Sequence, residues 1–147
     1  MTQSELLSVL ERMLEANPYA VLATAGPEGQ PRARWMAPGL VRGRPGFLYC
    51  FTGAAFHKVE ELAQNERVEW LLASKDQSEI LNVEGRMVVL DNPAQKAEVQ
   101  EAIGAKLATF WQLEDDPSAV VVLETVITRF RYSRPSDGEI EEVALNG

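Results

Sequence analysis

The chain has 147 residues, of which 46% are hydrophobic and 24% charged, and its formal net charge is −8. These values fit one globular domain spanning residues 1–147, and they exclude a broad nucleic-acid surface, which needs clustered basic charge. The single cysteine, Cys50, excludes an intrachain disulfide and lies in an apolar run. Because a signal peptide and a membrane-length apolar run are also missing from the sequence, we expect a reduced, cytoplasmic location.

The first part of the chain predicts a helix followed by two paired strands. Thr2 and Glu5 have the spacing of a capping box, and an apolar stripe behind them stops at Asn17. That stripe consists of Leu6, Leu10, Met13 and Leu14. Residues 19–25 and 30–37 then predict two antiparallel strands joined by a tight turn. In the second strand, alternation places Arg32, Arg34 and Met36 on one face and Ala33, Trp35 and Ala37 on the other.

The rest of the chain predicts more strands and two further helices. Residues 47–52 are continuously apolar, which is typical of a strand covered on both faces. The later strands are expected at residues 68–73, at 79–90 with Gly85 as a bulge or crowding point, at 119–132 as one long strand or two joined by a bend, and at 140–145. Helices are expected at about residues 54–65 and 93–109. Six or seven strands without regular helix alternation favour a mainly β fold, an antiparallel β-barrel with peripheral helices.

The most unusual stretch is residues 29–59, which contain no acidic residue and carry a net charge of +5. Its cations are Arg32, Arg34, Arg42, Arg44 and Lys58. If Thr52 is the N-cap of the helix after the third strand, His57 and Lys58 fall near its first turn, where the helix dipole favours anions. Lys58, helix-end amides and one of the arginines would suit a phosphate. The alternative is that the arginines guard an edge strand and Lys58 is solvated.

Other familiar sites are missing from the sequence. His57 is the only histidine, so a histidine-rich metal site is excluded and no metal is expected. Neither a Walker loop nor a dinucleotide-binding glycine motif is present. Trp111 borders a polar loop, so it could stack on a flat aromatic ligand, although a core position is the alternative. No residue stands out as a catalytic acid or base.

A series of motifs between about residues 19 and 133 resembles the pyridoxamine 5'-phosphate oxidase-like flavoproteins, and in particular the short bacterial general stress proteins of that group. The motifs are Ala23-Thr24, Gly29-Gln-Pro-Arg-Ala-Arg34-Trp-Met36, Phe47-Leu-Tyr-Cys-Phe-Thr52, Lys58-Val59, Asn65-Glu-Arg67-Val68, Val83-Glu-Gly85-Arg86, Asp116-Pro117 and Tyr132. The resemblance implies an FMN-binding split barrel and a homodimer with the flavin in a groove between subunits.

The resemblance also implies roles for individual residues. Arg34 and Lys58 stand where the family binds the flavin phosphate, and His57 stands where an arginine is often found. Backbone from Trp35, Met36 and Ala37 would lie beside the isoalloxazine ring, while Phe51 and Thr52 take the place of a Tyr-Thr pair.

The function implied by the resemblance is that of an FMN-dependent oxidoreductase with a different, unknown substrate. The alternative is a protein that binds or senses a flavin, deazaflavin or haem without turnover. Pyridoxamine 5'-phosphate oxidase activity itself is not expected, because residues 138–142 are acidic and offer no second set of phosphate donors.

Overall fold

The computed structural model describes residues 1–53, 66–111 and 120–145, with the backbone alone at 105–111. Helix α1, Gln3–Ala16, begins at the predicted capping box. The Glu5 amide donates to Thr2 Oγ1 at 3.1 Å, and the Thr2 amide donates to Glu5 Oε1 at 3.2 Å. The buried face of α1 belongs to the main core and consists of Leu6, Val9, Leu10 and Met13. Within the described ranges no helix is long and apolar enough to cross a membrane.

Every predicted strand is present, with ends that lie within two residues of the prediction. The strands are β1 Ala20–Ala25, β2 Pro31–Met36, β3 Phe47–Gly53, β4 Arg67–Ala73, β5 Ile80–Val89, β6 Val120–Arg134 and β7 Glu139–Ala144. Helix α2 spans Pro93–Trp111. Strand β6, which follows α2, is a single long strand rather than two strands joined by a bend. The helix predicted at about residues 54–65 lies outside the described residues.

The strands form an antiparallel sheet that closes on itself. Their order is β2-β1-β4-β5-β6-β3, with β7 added to β6. The outermost strands in this order are β2 and β3. Gly39, in the segment that follows β2, pairs with Tyr49 of β3: the Gly39 amide donates to Tyr49 O at 2.7 Å and the Tyr49 amide donates to Gly39 O at 2.9 Å. The predicted barrel with peripheral helices is therefore confirmed.

Strand β3 is buried on both faces, as its continuous apolar sequence predicts. Leu48 and Cys50 belong to the main core inside the barrel. Tyr49 and Phe51 face the other way and belong to a second core shared with Val99 and other residues of α2. Each fully buried large apolar side chain contributes about 1.5–3 kcal/mol. This double burial fixes the orientation of β3 and hence of Thr52 at its end.

Gly85 lies at a bulge in the β5–β6 pairing, and the extra residue of this bulge is Thr128 of β6, because Glu84 lies opposite Arg129 and Gly85 opposite Ile127. The register with β6 shifts between Glu84 and Gly85. A Cβ placed on Gly85 would lie 2.5 Å from the Val126 carbonyl oxygen and 2.6 Å from Thr125 Cγ2. Any larger residue would therefore force β5 and β6 apart at this point.

A polar network attaches α1 to the barrel. The Arg12 guanidinium donates to both Glu79 carboxylate oxygens, at 2.9 and 3.1 Å, and the Tyr132 hydroxyl donates to the same carboxylate at 2.9 Å. The bond from Arg12 is the main reason that the pKa of Glu79 is lowered. These contacts hold the helix in a fixed position over the barrel strands.

Candidate functional site

The junction between β2 and β3 brings together the residues on which the sequence analysis focused. Because the Gly39–Tyr49 pair is antiparallel, residues that precede Gly39 lie on the same side of it as residues that follow Tyr49. The segment Arg34–Ala37 and the pair Phe51–Thr52 therefore lie on the same side of the Gly39–Tyr49 pair. We call this part of the barrel the joint. Ala37 and Phe51 also belong to the same buried cluster.

Arg34 is held on the interior side of this joint. It lies opposite Leu22 of β1 and alternates with Met36, which is fully buried in the main core. Its Nη1 donates to Thr24 Oγ1 at 2.7 Å. The half-buried guanidinium is thus anchored to the neighbouring strand.

Thr52 is a buried polar residue whose hydroxyl is unsatisfied. The residue is 0% exposed and lies on the same face of β3 as Leu48 and Cys50. Among the residues that the structure describes, its Oγ1 has no hydrogen-bond partner, and such an unpaired buried group costs about 1–3 kcal/mol. Strand β3 runs on through Gly53, and the helix that Thr52 was expected to cap lies outside the described residues. A buried hydroxyl without a partner among the described residues requires an explanation, and a bound ligand is one that can supply it.

The summed charge of the basic stretch overstates the number of cations at the joint. Arg44 donates to Glu98 Oε2 at 2.8 Å and to the Tyr49 hydroxyl at 3.4 Å. Its bond to Glu98 raises the pKa of Arg44. The Tyr49 hydroxyl donates in turn to Glu124 at 2.9 Å, and burial raises the pKa of Tyr49 to about 12. Arg44 therefore fastens the loop after β2 to α2.

The other two arginines of the stretch also lie away from the joint. Arg42 is exposed. Arg32 is exposed too and packs over the turn, since a Cβ on Gly26 would lie 2.6 Å from Arg32 Nε. Among the arginines of the basic stretch, Arg34 is the half-buried one on the interior face of β2, where it bonds to Thr24.

Two of the predicted site residues direct their side chains elsewhere. Trp35 is 62% exposed and lies in one row with Val21 and Leu71 on the outer surface of the barrel. Phe51 packs toward α2, where a Cβ on Gly104 would lie 3.7 Å from Phe51 Cε2. Like Ala37, these residues can offer backbone rather than side-chain contacts to a ligand at the joint.

Three predicted residues are not placed at the joint by the structure. His57 and Lys58 lie outside the described residues. Trp111 is the last residue of α2, and its side chain is not described. Their roles stay predictions.

Sequence reasoning gave no role to Thr24. The feature of the sequence that could have identified Thr24 is its hydroxyl. Thr24 alternates with Ala20 and Leu22 on the interior face of β1, where an apolar residue is expected.

The described donors suit a phosphate group. A guanidinium and a neutral hydroxyl on adjoining interior surfaces both donate hydrogen bonds, and phosphate oxygens accept several at once. The half-buried position of Arg34 strengthens such bonds relative to those of a solvated arginine. The residues present therefore fit the phosphate of a flavin mononucleotide. Among the residues described, no group of three or more histidine, cysteine or carboxylate side chains is arranged for a metal ion.

The antiparallel barrel, closed through Gly39 and Tyr49 with anion donors at the closure, defines a split-barrel protein. The model of the family described as pyridoxamine 5'-phosphate oxidase matches residues 7–134. The chain belongs to that family, so the family resemblance seen in the sequence is confirmed.

Solved structures agree with this assignment. A protein from Clostridium acetobutylicum related to general stress protein 26 of B. subtilis is 16% identical, with a TM-score of 0.76 and coverage of 99% of this chain and 97% of that chain. A pyridoxamine 5'-phosphate oxidase-related, FMN-binding protein from Nostoc punctiforme is 15% identical, with a TM-score of 0.65 and coverage of 95% and 96%. An F420 reductase is 24% identical, with a TM-score of 0.62 and coverage of 82% and 94%. No curated protein sequence matches the chain significantly.

Proposed function

We propose that this protein is a cytoplasmic FMN-binding oxidoreductase that works as a homodimer on a substrate other than pyridoxamine 5'-phosphate. The observation that carries the proposal is the buried, unpartnered Thr52 hydroxyl at the strand junction that also holds Arg34. The family match and the FMN-binding structural neighbour from Nostoc punctiforme support the choice of ligand.

Each predicted site residue has a defined task in this proposal. Arg34, Thr52 and Lys58 hold the phosphate, with His57 beside them, and so fix one end of the cofactor. Backbone of Trp35, Met36, Ala37 and Phe51 lies along the ring system, and Trp111 offers an aromatic face. When bound, the flavin supplies the redox chemistry, while the protein supplies orientation and access.

Binding is tested by titrating purified protein with FMN and following flavin fluorescence. We expect one FMN per chain, and much weaker binding of riboflavin, which lacks the phosphate. Absence of FMN binding at tens of micromolar would contradict the proposal.

Catalysis is tested separately, by mixing the FMN-loaded protein with NADPH or NADH and recording the flavin absorbance. Repeated reduction and reoxidation is expected of an oxidoreductase. Tight binding without turnover would instead favour the second candidate, a protein that binds or senses a flavin, deazaflavin or haem. The F420 reductase among the structural neighbours is the reason to include F420 in the same assays.

Oxidation of pyridoxamine 5'-phosphate is not expected. Arg129, Arg131 and Arg134 of β6 lie opposite the acidic strand β7, and Arg129 and Arg131 are about half exposed and pair with Glu142. A second phosphate needs cationic donors of its own. Sustained formation of pyridoxal 5'-phosphate at micromolar substrate would show that this expectation is wrong.

The dimer is supported by an apolar row on the outer surface of the barrel. Trp35, Val21 and Leu71 are register neighbours across β2, β1 and β4, and Trp35 and Leu71 are 62% and 41% exposed. Exposed apolar rows of this kind are common at subunit interfaces. Light scattering is expected to give twice the chain mass, whereas a monomer with bound flavin would contradict the arrangement.

A further inference from the structure

Thr24 is an unusual residue in the interior of the barrel. The interior face of β1 is formed by Ala20, Leu22 and Thr24, all of which are at most 5% exposed. A hydroxyl at such a position needs a hydrogen-bond partner, and the Thr24 oxygen accepts from Arg34 Nη1 at 2.7 Å. The shortness of this bond indicates that the two side chains are well aligned.

The pairing is diagonal, so it selects one arginine of β2 over the other. In the register of β1 with β2, Thr24 lies opposite Arg32, and Arg34 lies opposite Leu22. Thr24 nevertheless bonds the guanidinium two residues away, while Arg32 packs over the turn at Gly26. Diagonal neighbours are within reach of long side chains.

The chemistry of the bond suits an arginine that has to meet an anion. The Thr24 hydroxyl fixes the orientation of the Arg34 guanidinium and brings no charge of its own to the bond. Fixing a flexible arginine before binding reduces the conformational entropy that binding must remove.

We propose that Thr24 is a positioning residue that holds the Arg34 guanidinium toward the phosphate of the bound ligand. This role rests on the proposed FMN-binding function. Thr24 acts through Arg34 and needs no contact with the ligand itself.

The test is a double-mutant cycle on FMN affinity, with full-length Thr24→Val, Thr24→Ser, Arg34→Ala and the double variant Thr24→Val/Arg34→Ala. Valine matches the shape of threonine but cannot accept a hydrogen bond. We expect Thr24→Val to weaken FMN binding roughly tenfold and Thr24→Ser to retain affinity within about threefold. In the Arg34→Ala background, Thr24→Val should cause no further loss, because the residue through which it acts is gone. Riboflavin affinity should be the same in Thr24→Val and the unmodified protein.

Urea unfolding of each variant shows whether its fold is intact, and Thr24→Ala replaces Thr24→Val in the cycle if the valine variant does not fold. Unchanged FMN affinity in Thr24→Val would overturn the positioning role while leaving the proposed function standing. An equal loss with and without Arg34, or an equal loss for riboflavin, would show a general structural role and would also overturn it. Failure of the unmodified protein to bind FMN would overturn the proposed function, and this role with it.

Discussion

Two threonines on neighbouring strands, Thr52 of β3 and Thr125 of β6, are both completely buried, yet they have opposite hydrogen-bonding states. Thr125 Oγ1 accepts a hydrogen bond from Trp70 Nε1 at 3.1 Å. Thr52 Oγ1 has no partner. The strands pair directly, with Leu48 opposite Thr125 and Thr52 opposite Val121.

The difference separates a region that satisfies its own polar groups from the joint at which we propose that a ligand binds. Around Thr125 the core satisfies its own polar groups, because the indole of Trp70 reaches across β5 near Gly85, where no side chain intervenes. At Thr52 the buried hydroxyl neither donates nor accepts a hydrogen bond within the described residues, which lowers the stability of the fold. Proteins commonly accept such local costs at functional sites. Three experiments break or sharpen this comparison.

The largest expected effect is on the Thr125 side, from Gly85→Ala. Its added Cβ would meet the Val126 carbonyl oxygen at 2.5 Å, which backbone can relieve only by moving β5 from β6. We expect a loss of about 3 kcal/mol in the free energy of unfolding, measured in urea. Gly104→Ala in α2 is the matched control, since its Cβ has an ordinary contact at 3.7 Å and alanine favours helix. Equal effects at the two glycines would contradict the packing described for β5.

A smaller loss is expected from Thr125→Val, which removes the acceptor of the buried Trp70 N–H. The free energy of unfolding should fall by about 2 kcal/mol, with FMN affinity within about twofold of the unmodified protein. Adding Trp70→Phe to this variant removes the stranded donor and serves as the control. If Thr125→Val weakened FMN binding strongly, the two threonines would not belong to separate regions.

The smallest effect on stability is expected from Thr52→Val. Unlike the other two substitutions, it should leave the free energy of unfolding unchanged or raise it. Because the hydroxyl has no partner to lose, the ligand-free variant should be as stable as the unmodified protein, or more stable by up to about 1 kcal/mol. Its FMN affinity should nevertheless fall roughly tenfold through the loss of a phosphate contact. A marked loss of stability without flavin would show that Thr52 has a structural role like that of Thr125.

Much of the fold was predictable from the sequence because it depends on local patterns. The Thr2–Glu5 spacing identified the start of α1, apolar alternation identified the strands, and Gly85 marked the bulge. The continuous apolar run of β3 indicated burial on both faces. Such signals require no knowledge of distant contacts.

The site was less predictable because its chemistry depends on partners that are remote in sequence. Arg44 resembles any turn cation until Glu98, 54 residues later, is placed beside it by α2. Thr24 and Arg34 become a pair only through the β1–β2 register. The charge of the basic stretch was therefore readable from the sequence, whereas the pairing of Arg44 with Glu98 was not, and the anion site itself stays a prediction.

The central claim, that Arg34 is part of a specific phosphate site, is tested most directly by FMN titration of Arg34→Ala beside Arg42→Ala. Both variants remove one arginine from the basic stretch, but Arg34 is half-buried at the joint whereas Arg42 is exposed. Loss of a charged hydrogen bond to phosphate, worth about 1.5–3 kcal/mol, should weaken FMN binding by roughly 10- to 100-fold in Arg34→Ala. Arg42→Ala should stay within about threefold of the unmodified protein. Equal weakening in both variants would indicate diffuse attraction by the basic stretch, and unchanged affinity in Arg34→Ala would contradict the site itself.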